Sequence, residues 1–268
     1  DEATGSFIVT VQGPSGASLG YTGAITAQAY RILIQQKDEV SAVFIVNGFS
    51  FLGSGSNKAM MFVRLRPFNE RPGEEHSAMA VIQRLYRPFG AITGAVVLPF
   101  LPPPIQGLGR FGGFQFEVLD QGGGDIERLA AATSNVVAQG NRTPGLTGLF
   151  SGFTANDPQL VVTVDREALQ ALGLKFGDVA STLQTLMGAN YVNDFDYNSR
   201  SYRVYVQADQ DFRRRPEDIG RYYLRTPTGK MVRMDSVVTV TNTTAPQVIS
   251  HFNLFRSTEI NGRAAPGF

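Results

Sequence analysis

F-I-V-N-G-F-S-F-L-G-S-G-S-N-K-A-M-M-F, residues 44–62, is the stretch that decides the fold of the first part of this chain. Two apolar, strand-like runs at 41–46 and 59–65 flank a loop that carries Phe49 and Phe51 among several glycines. Loops are usually polar because they lie in water, so a glycine-rich loop with two phenylalanines is unusual as a plain connection. The stretch predicts two paired strands joined by an apolar loop.

The alternation of side chains along the two runs indicates which residues would lie together. Phe44 and Val46 share one face of the first strand, and Met60 and Phe62 share one face of the second. If the runs pair, they form a cluster of aromatic and thioether side chains beneath the loop, which suits apolar ligands of varied shape. The alternative is a plain hydrophobic core with one apolar loop folded over it, because apolar runs usually belong to the core.

The composition is that of a folded globular protein, since 43% of the 268 residues are hydrophobic and 18% are charged. This length is sufficient for two or three compact subdomains. A formal net charge of +1 gives no reason to expect nucleic acid or an anionic membrane as a partner. The absence of cysteine excludes disulfides and thiolate metal sites. From its first and last residues, we expect the chain to be a piece of a longer protein.

The longest uncharged stretch, residues 88–109, has the length of a membrane span but contains Pro99 and the run Pro102-Pro103-Pro104. No continuous helix survives this number of prolines in lipid, because each one removes a backbone donor. The stretch therefore predicts a strand at 95–98 that leads into a stiff, apolar, proline-rich loop.

The order of apolar patterns over the first hundred residues is β-α-β-β-α-β, the split βαβ arrangement of ferredoxin-like domains. A strand is predicted at 6–12, and a helix follows to about Gln36, with Tyr21 and Ile32 on its inner face. The second helix is predicted to begin near residues 72–75, where two glutamates suit a helix N-terminus.

A second unit begins with an apolar strand at 114–119. A helix that places Leu129 and Val136 on its inner face follows, and a short strand at 146–151 ends this β-α-β half. Its partner half is predicted at 248–260, so residues of about 155–245 form an insertion with its own strands and short helices.

The sequence offers no credible catalytic set. His76 and His251 are far apart and lack the spacing of metal ligands. A match to G-x-G-x-x-G at 107–112 follows a proline-rich loop and leads into a strand, whereas the dinucleotide fingerprint needs a strand before it and a helix after it. We therefore expect neither an enzyme nor a bound metal or cofactor.

Several strings along the chain occur together, in this order, in one known family. The strings are D-E-x-x-G at 1–5, V-F-x-V-N-G-F-x-F at 43–51, R-P-G-E-E at 71–75, G-F-x-F-E at 113–117, Y-V-N-D-F at 191–195, P-x-D-I-G at 216–220 and A-A-P-G at 264–267. They resemble the second (C-half) periplasmic loop of the inner-membrane subunit of an RND (resistance–nodulation–division) efflux pump, in its hydrophobe/amphiphile multidrug branch. The resemblance covers nearly the whole chain.

This resemblance implies an α+β fold of ferredoxin-like βαβ porter subdomains with an inserted mixed α/β docking (funnel) domain. Residues 1–112 resemble the first porter subdomain of the C-half. Residues 113–154 together with 246–268 resemble an incomplete second porter subdomain, and residues 155–245 resemble the docking domain.

The resemblance also implies a function and a set of partners. The chain would be the periplasmic part of a bacterial inner-membrane, proton-driven antiporter that works as a homotrimer and confers antibiotic resistance. Its expected partners are apolar and amphiphilic small molecules, the pump's transmembrane helices and N-half periplasmic loop, a periplasmic adaptor and an outer-membrane channel. Transport would follow a rotating three-state cycle, which this piece alone cannot perform.

The family's pockets carry over to named positions of this sequence. The deep, or distal, drug pocket matches Phe44, Val46, Phe49, Phe51 and Phe62. The switch loop matches residues 47–57, with Asn47, Gly48, Gly53, Ser54, Gly55 and Asn57. The outer pocket and entrance cleft match Ile8, Thr10, Leu98, Phe100, Pro102 and Phe150.

The chain departs from its relatives at four positions of the outer pocket and the switch loop. Phe150 and Gly152 stand where relatives have an Arg and an Asn, Gly107 stands in place of an acid, and Ser54 replaces an Arg of the loop. These differences predict an outer pocket that is more apolar than that of the relatives.

Two other functions are compatible with the sequence. One is a stand-alone periplasmic ligand-binding or assembly module with no pump attached. The other is a metal-exporting RND branch, which Met60 and Met61 suggest, although that branch would need at least three methionines close together, and Met79 belongs to a different element.

Overall fold

In a computed structural model, which describes residues 5–51, 53–102, 113–265 and 267, the first hundred residues form a four-stranded antiparallel sheet with two helices packed on one face. The strand order is β2-β3-β1-β4, and the predicted β-α-β-β-α-β order is confirmed. The elements are β1 Ser6–Gln12, α1 Leu19–Leu33, β2 Val40–Asn47, β3 Lys58–Leu65, α2 Ala78–Gly90 and β4 Val96–Phe100.

The two faces of this first sheet belong to different clusters because side chains alternate along each strand. Val9 lies opposite Met61 on β3 and opposite Pro99 on β4. Val9 and Met61 are fully buried in the larger cluster, which includes residues of both helices. We call this side the helix face. The residues between them in sequence point to the other side, which we call the open face.

The two helices differ from their predicted limits. Helix α2 begins at Ala78 rather than near 72–75, because the Ser77 side chain caps it by accepting a hydrogen bond from the backbone N–H of Ala80. Helix α1 ends at Leu33, and Tyr21, predicted on its inner face, is 40% exposed. The Tyr21 hydroxyl instead donates a hydrogen bond to the carbonyl of Gly94 at 2.9 Å.

The chain then forms a β-α-β half-unit. The inner face of its helix is carried by Leu129 and Thr133, whereas Val136, predicted on that face, is exposed. The elements are β5 Phe114–Asp120, α3 Ile126–Gly140 and β6 Leu146–Phe150.

Residues 158–244 form a compact unit of their own, and all other residues belong to the first unit. Its core contains Leu169, Val179, Leu224 and Met234, all buried. The elements are β7 Asp157–Val164, α4 Arg166–Ala171, α5 Phe176–Gly188, β8 Asn190–Tyr197, β9 Arg200–Val206, α6 Pro216–Gly220, β10 Tyr223–Arg225, β11 Met231–Arg233 and β12 Val238–Ala245.

After this unit the chain returns to the half-unit through β13 Ser250–Phe252 and β14 Phe255–Ala264. Strand β14 pairs antiparallel with β5, with β6 and with β13, so it organises the second sheet of the first unit. The hydroxyls of Thr133 and Thr258, both buried, lie 2.5 Å apart and join α3 to this sheet. The predicted α+β class is confirmed, while the limits of the porter and docking domains stay a prediction.

Among the described residues, no helix is both long enough and apolar enough to cross a lipid bilayer.

Candidate binding site

The open face of the first sheet carries seven of the residues that the sequence predicts for the two pockets, together with Met60. Strand register aligns them in two rows that cross all four strands in the order β2-β3-β1-β4. One row is Phe44, Phe62, Ile8 and Phe100, and the next is Val46, Met60, Thr10 and Leu98, in which Met60 was predicted from strand alternation alone.

Four phenylalanine rings form a continuous series across this face. The centroids of Phe44 and Phe62 lie 6.2 Å apart, those of Phe62 and Phe51 lie 6.4 Å apart, and those of Phe51 and Phe49 lie 6.2 Å apart. These separations fall in the range in which aromatic rings attract one another, and the last two contacts are edge-to-face. We call these four residues the aromatic cluster.

The aromatic cluster has a buried base and an exposed rim. Met60, Ile8 and Phe100 are buried together, and Phe51 and Phe62 pack against them. Phe44 is 66% exposed and Phe49 is 40% exposed. The structure therefore leaves ring surface accessible at the rim of a well-packed apolar patch.

The predicted switch loop leaves β2 at Gly48, whose backbone conformation only glycine adopts easily. Gly48 has a φ of +87° and Gly53 a φ of +115°, both in the left-handed region. The N–H of Gly48 donates to the carbonyl of Lys58 at 2.7 Å, and the N–H of Gly55 donates to the carbonyl of Gly48 at 3.0 Å. The stem of the loop is thus closed by backbone hydrogen bonds.

The second end of the loop is fixed by Asn57, which is buried. Its carbonyl accepts from the N–H of Gly13 at 2.7 Å, and its Nδ2 donates to the Gly13 carbonyl at 3.3 Å. At the start of the loop, the Asn47 Oδ1 accepts from the Thr26 hydroxyl at 3.2 Å. Ser54 lies between these hydrogen-bonded ends of the loop and is exposed.

Lys58 was missed by the sequence reasoning. It begins β3 on the same side of the strand as Met60, and only 3% of it is exposed. Burial lowers the pKa of its ammonium group, and the charge of Asp157 opposes this shift. A charged residue next to a glycine-rich loop is usually exposed, so the sequence gives no sign that Lys58 is buried.

Three residues predicted for the outer pocket, Leu98, Phe100 and Phe150, line one cleft between β4 and the strands β6 and β14. Pro102, also predicted there, is half-buried but does not line the cleft. Gly107, the fourth departure from relatives, lies outside the described residues, as does the G-x-G-x-x-G match.

The same cleft is lined by the polar residues Asn261 and Arg263 of β14. The sequence analysis did not associate these two polar side chains with Phe150, because they come from a strand 110 or more residues further along the chain. The available signal was the alternation of polar residues in E-I-N-G-R at 259–263, which places Glu259, Asn261 and Arg263 on one face of a strand. The prediction of an outer pocket more apolar than that of relatives stays a prediction.

His76 belongs to a group of charged side chains. Its Nδ1 lies 2.9 Å from Oε1 of the buried Glu39, which also pairs with Arg84.

The three methionines that the metal-exporting alternative would need lie in different places. Met60 and Met61 belong to opposite faces of the sheet, and Met79 is exposed on α2. These three methionines do not converge, which weakens the metal-exporting alternative.

Comparison with known proteins identifies the family. A model of the AcrB/AcrD/AcrF family matches residues 1–268. The chain is 37% identical to the multidrug export protein AcrF of Escherichia coli K12 and 35% identical to the multidrug resistance protein MdtF of the same strain. It is 34% identical to the multidrug/solvent efflux pump membrane transporter MepB of Pseudomonas putida.

Each of these matches covers 100% of this chain and 26% of the relative, so the chain spans about a quarter of the length of these transporters. The resemblance to RND multidrug pumps predicted from the short strings is confirmed. A match that extends over every residue, supported by the ferredoxin-like topology of the first sheet, leads to one conclusion: this chain belongs to the AcrB/AcrD/AcrF family.

Proposed function

We propose that this chain is the periplasmic substrate-binding and docking portion of a proton-driven multidrug efflux transporter of the inner membrane. Apolar and amphiphilic small molecules bind at the aromatic cluster beneath the switch loop. Energy coupling belongs to transmembrane helices outside this chain, so the chain contributes recognition of the substrate rather than its transport.

The observation that carries this proposal is the continuous series of four rings on the open face. Aromatic faces bind ligands by removing apolar area from water, at roughly 25 cal/mol per Å². They impose no fixed hydrogen-bond pattern, so one surface accepts many compounds. A hydrophobic core with the loop simply folded over it would not leave Phe44 and Phe49 so exposed.

The switch loop supplies the conformational part of the proposal. Its two left-handed glycines, Gly48 and Gly53, lie on either side of the loop phenylalanines. Glycine crosses between backbone conformations at low cost, so these positions serve as hinges that move Phe49 and Phe51 relative to Phe44 and Phe62. Asn57 and the closed stem limit the movement to the residues between them.

The second unit is assigned to docking. Its hairpin of β8 and β9 is exposed along nearly its whole length and includes Tyr191, Phe195, Tyr197 and Tyr202 among its exposed aromatic residues. Aromatic residues are enriched at protein interfaces. We assign this unit to contacts with the adaptor, with the outer-membrane channel and with the other protomers of a homotrimer.

Binding of a neutral, environment-sensitive dye such as N-phenyl-1-naphthylamine tests the substrate site. We expect Phe49→Ala/Phe51→Ala to raise the Kd of the 268-residue chain at least about tenfold, equivalent to about 1.4 kcal/mol, because two of the four rings are lost. The matched control is Phe176→Ala/Phe212→Ala, which removes two exposed rings from the second unit. Equal Kd values for the two double variants would contradict the assignment.

A further inference from the structure

The outer cleft combines apolar walls with polar atoms that lack partners. Leu98, Phe100 and Phe150 supply the walls. Among the described residues, neither Nε of Arg263 nor Oδ1 of Asn261 has a hydrogen-bond partner, although both atoms are buried. Buried polar atoms usually find a partner, and leaving one unsatisfied is unfavourable. An unsatisfied donor and an unsatisfied acceptor in one cleft therefore point to a ligand that supplies both counterparts.

The orientation of Asn261 follows from its neighbour on the strand. Its Nδ2 donates to Oε1 of Glu259 at 2.7 Å, which leaves Oδ1 as the end of the amide without a partner. Asn261 is only 1% exposed, so its side chain is held in place by the surrounding strands. The position thus offers a fixed hydrogen-bond acceptor to a ligand N–H or O–H group.

Arg263 is oriented by stacking rather than by an ion pair. Its Cζ lies 4.4 Å from the centroid of the Tyr86 ring, and the Tyr86 hydroxyl donates to the carbonyl of Pro99 at 2.8 Å. No carboxylate of the described residues forms a salt bridge with Arg263. The guanidinium also interacts with the neutral hydroxyl of Tyr86. Its positive charge therefore lacks a counter-ion among the described residues, and an anionic group could supply one.

A bulge in β6 lies beside the Nε atom of Arg263. The register between β6 and β14 shifts between Asn261 and Arg263, and Gly148 at this point has a φ of +64°. A Cβ atom at Gly148 would lie 3.7 Å from Nε of Arg263, in ordinary contact with it. Because glycine has no Cβ, the side chain of residue 148 adds no packing contact to the Nε donor.

We propose that the outer cleft prefers amphiphiles whose head group is a carboxylate next to an amide N–H, as in an N-acylated amino acid. The carboxylate accepts from Arg263, the N–H donates to Oδ1 of Asn261, and the acyl chain lies against Leu98, Phe100 and Phe150. This inference rests on the proposed function and adds a substrate class to it.

Calorimetric titration of the 268-residue chain with two matched probes tests this proposal. N-dodecanoylglycine carries the carboxylate and the N–H, and N-dodecanoylglycinamide carries the N–H without the charge. Both are used below their micelle-forming concentrations. Because hydrogen bonds to a charged group are the stronger kind, we expect the acid to bind at least about tenfold more tightly than the amide.

Three variants assign this preference to single atoms. Arg263→Gln is expected to bring the two Kd values within about twofold of each other. Arg142→Gln, which removes an exposed arginine of the same unit, is expected to retain the tenfold preference. Asn261→Leu is expected to weaken both probes by a similar factor, because both carry the N–H group.

The outcomes separate this proposal from the proposed function. A wild-type ratio near one, or a ratio that Arg263→Gln leaves unchanged, overturns the carboxylate preference even if the dye still responds to the Phe49→Ala/Phe51→Ala variant. Failure of the dye and of both probes to bind overturns the two proposals together. Circular dichroism melting of each variant establishes that it is folded, and the wild-type ratio tests the proposal even if Arg263→Gln does not fold.

Discussion

The two faces of the first sheet are built from the same strands but differ in how far their apolar side chains are buried. On the helix face, Val9, Met61 and Val63 are buried among residues of α1 and α2. On the open face, Met60, Ile8 and Phe100 are buried at the base of the aromatic cluster, whereas Phe44 stays 66% exposed. The difference shows that a strand with apolar residues on both sides can complete its core with one side and leave the other partly exposed.

The largest expected effect is a difference in stability between the two faces. Met61→Ala removes a fully buried side chain from the helix face and should lower the free energy of unfolding by about 2–5 kcal/mol. Phe44→Ala removes an exposed ring from the open face and should cost at most about 1 kcal/mol. Urea unfolding followed by circular dichroism measures both. Similar losses for the two variants would mean that the open face is part of the stabilising core.

A smaller effect on stability is expected at Gly48, where the chain leaves β2 and enters the switch loop. Gly48→Ala places a Cβ on a left-handed residue and should cost about 1–2 kcal/mol. The control is Gly90→Ala at the end of α2, where an added Cβ has no neighbour within 4 Å and φ is not positive. Gly90→Ala should be neutral or slightly stabilising in the same assay. If the two variants lost equal stability, the backbone of Gly48 would not be the reason.

The smallest expected effect is on the pH dependence of stability, through Lys58 on the open face. Because burial lowers the pKa of Lys58 in the folded protein, the unfolded chain binds more protons than the folded one below the ordinary lysine range. The wild type should therefore gain stability relative to Lys58→Met as pH rises from about 7 to about 10. The sign follows from the lowered pKa alone, and the size is expected to be below that of the preceding effects.

Chemical unfolding of both proteins at several pH values measures this trend. Lys37→Met, which removes an exposed lysine of the same unit, controls for the loss of one positive charge. A gap between wild type and Lys58→Met that stays constant with pH would show that Lys58 pays no desolvation cost in the folded state.

Sequence patterns predicted the first sheet well because its information is local. The alternation in residues 44–62 was sufficient to place Phe44 with Val46 and Met60 with Phe62, and the antiparallel register aligns both pairs on the open face. The start of α2 was wrong because the acidic residues at 74–75 form a separate 3₁₀ turn, and the cap is Ser77. The predicted inner faces of the helices were less reliable, since Val136 of α3 was predicted to be buried and is exposed.

The sequence by itself determined the element order of the first sheet, the aromatic character of the loop and, through short ordered strings, the family. These features depend on side-chain periodicity and on residue types in fixed spacing, which are properties of neighbouring residues. Only the tertiary structure decided that Lys58 is buried and that Asn261 and Arg263 join Leu98, Phe100 and Phe150 in one cleft. The reason is that strand pairing across more than a hundred residues is set by the fold of the whole unit, and no local pattern encodes it.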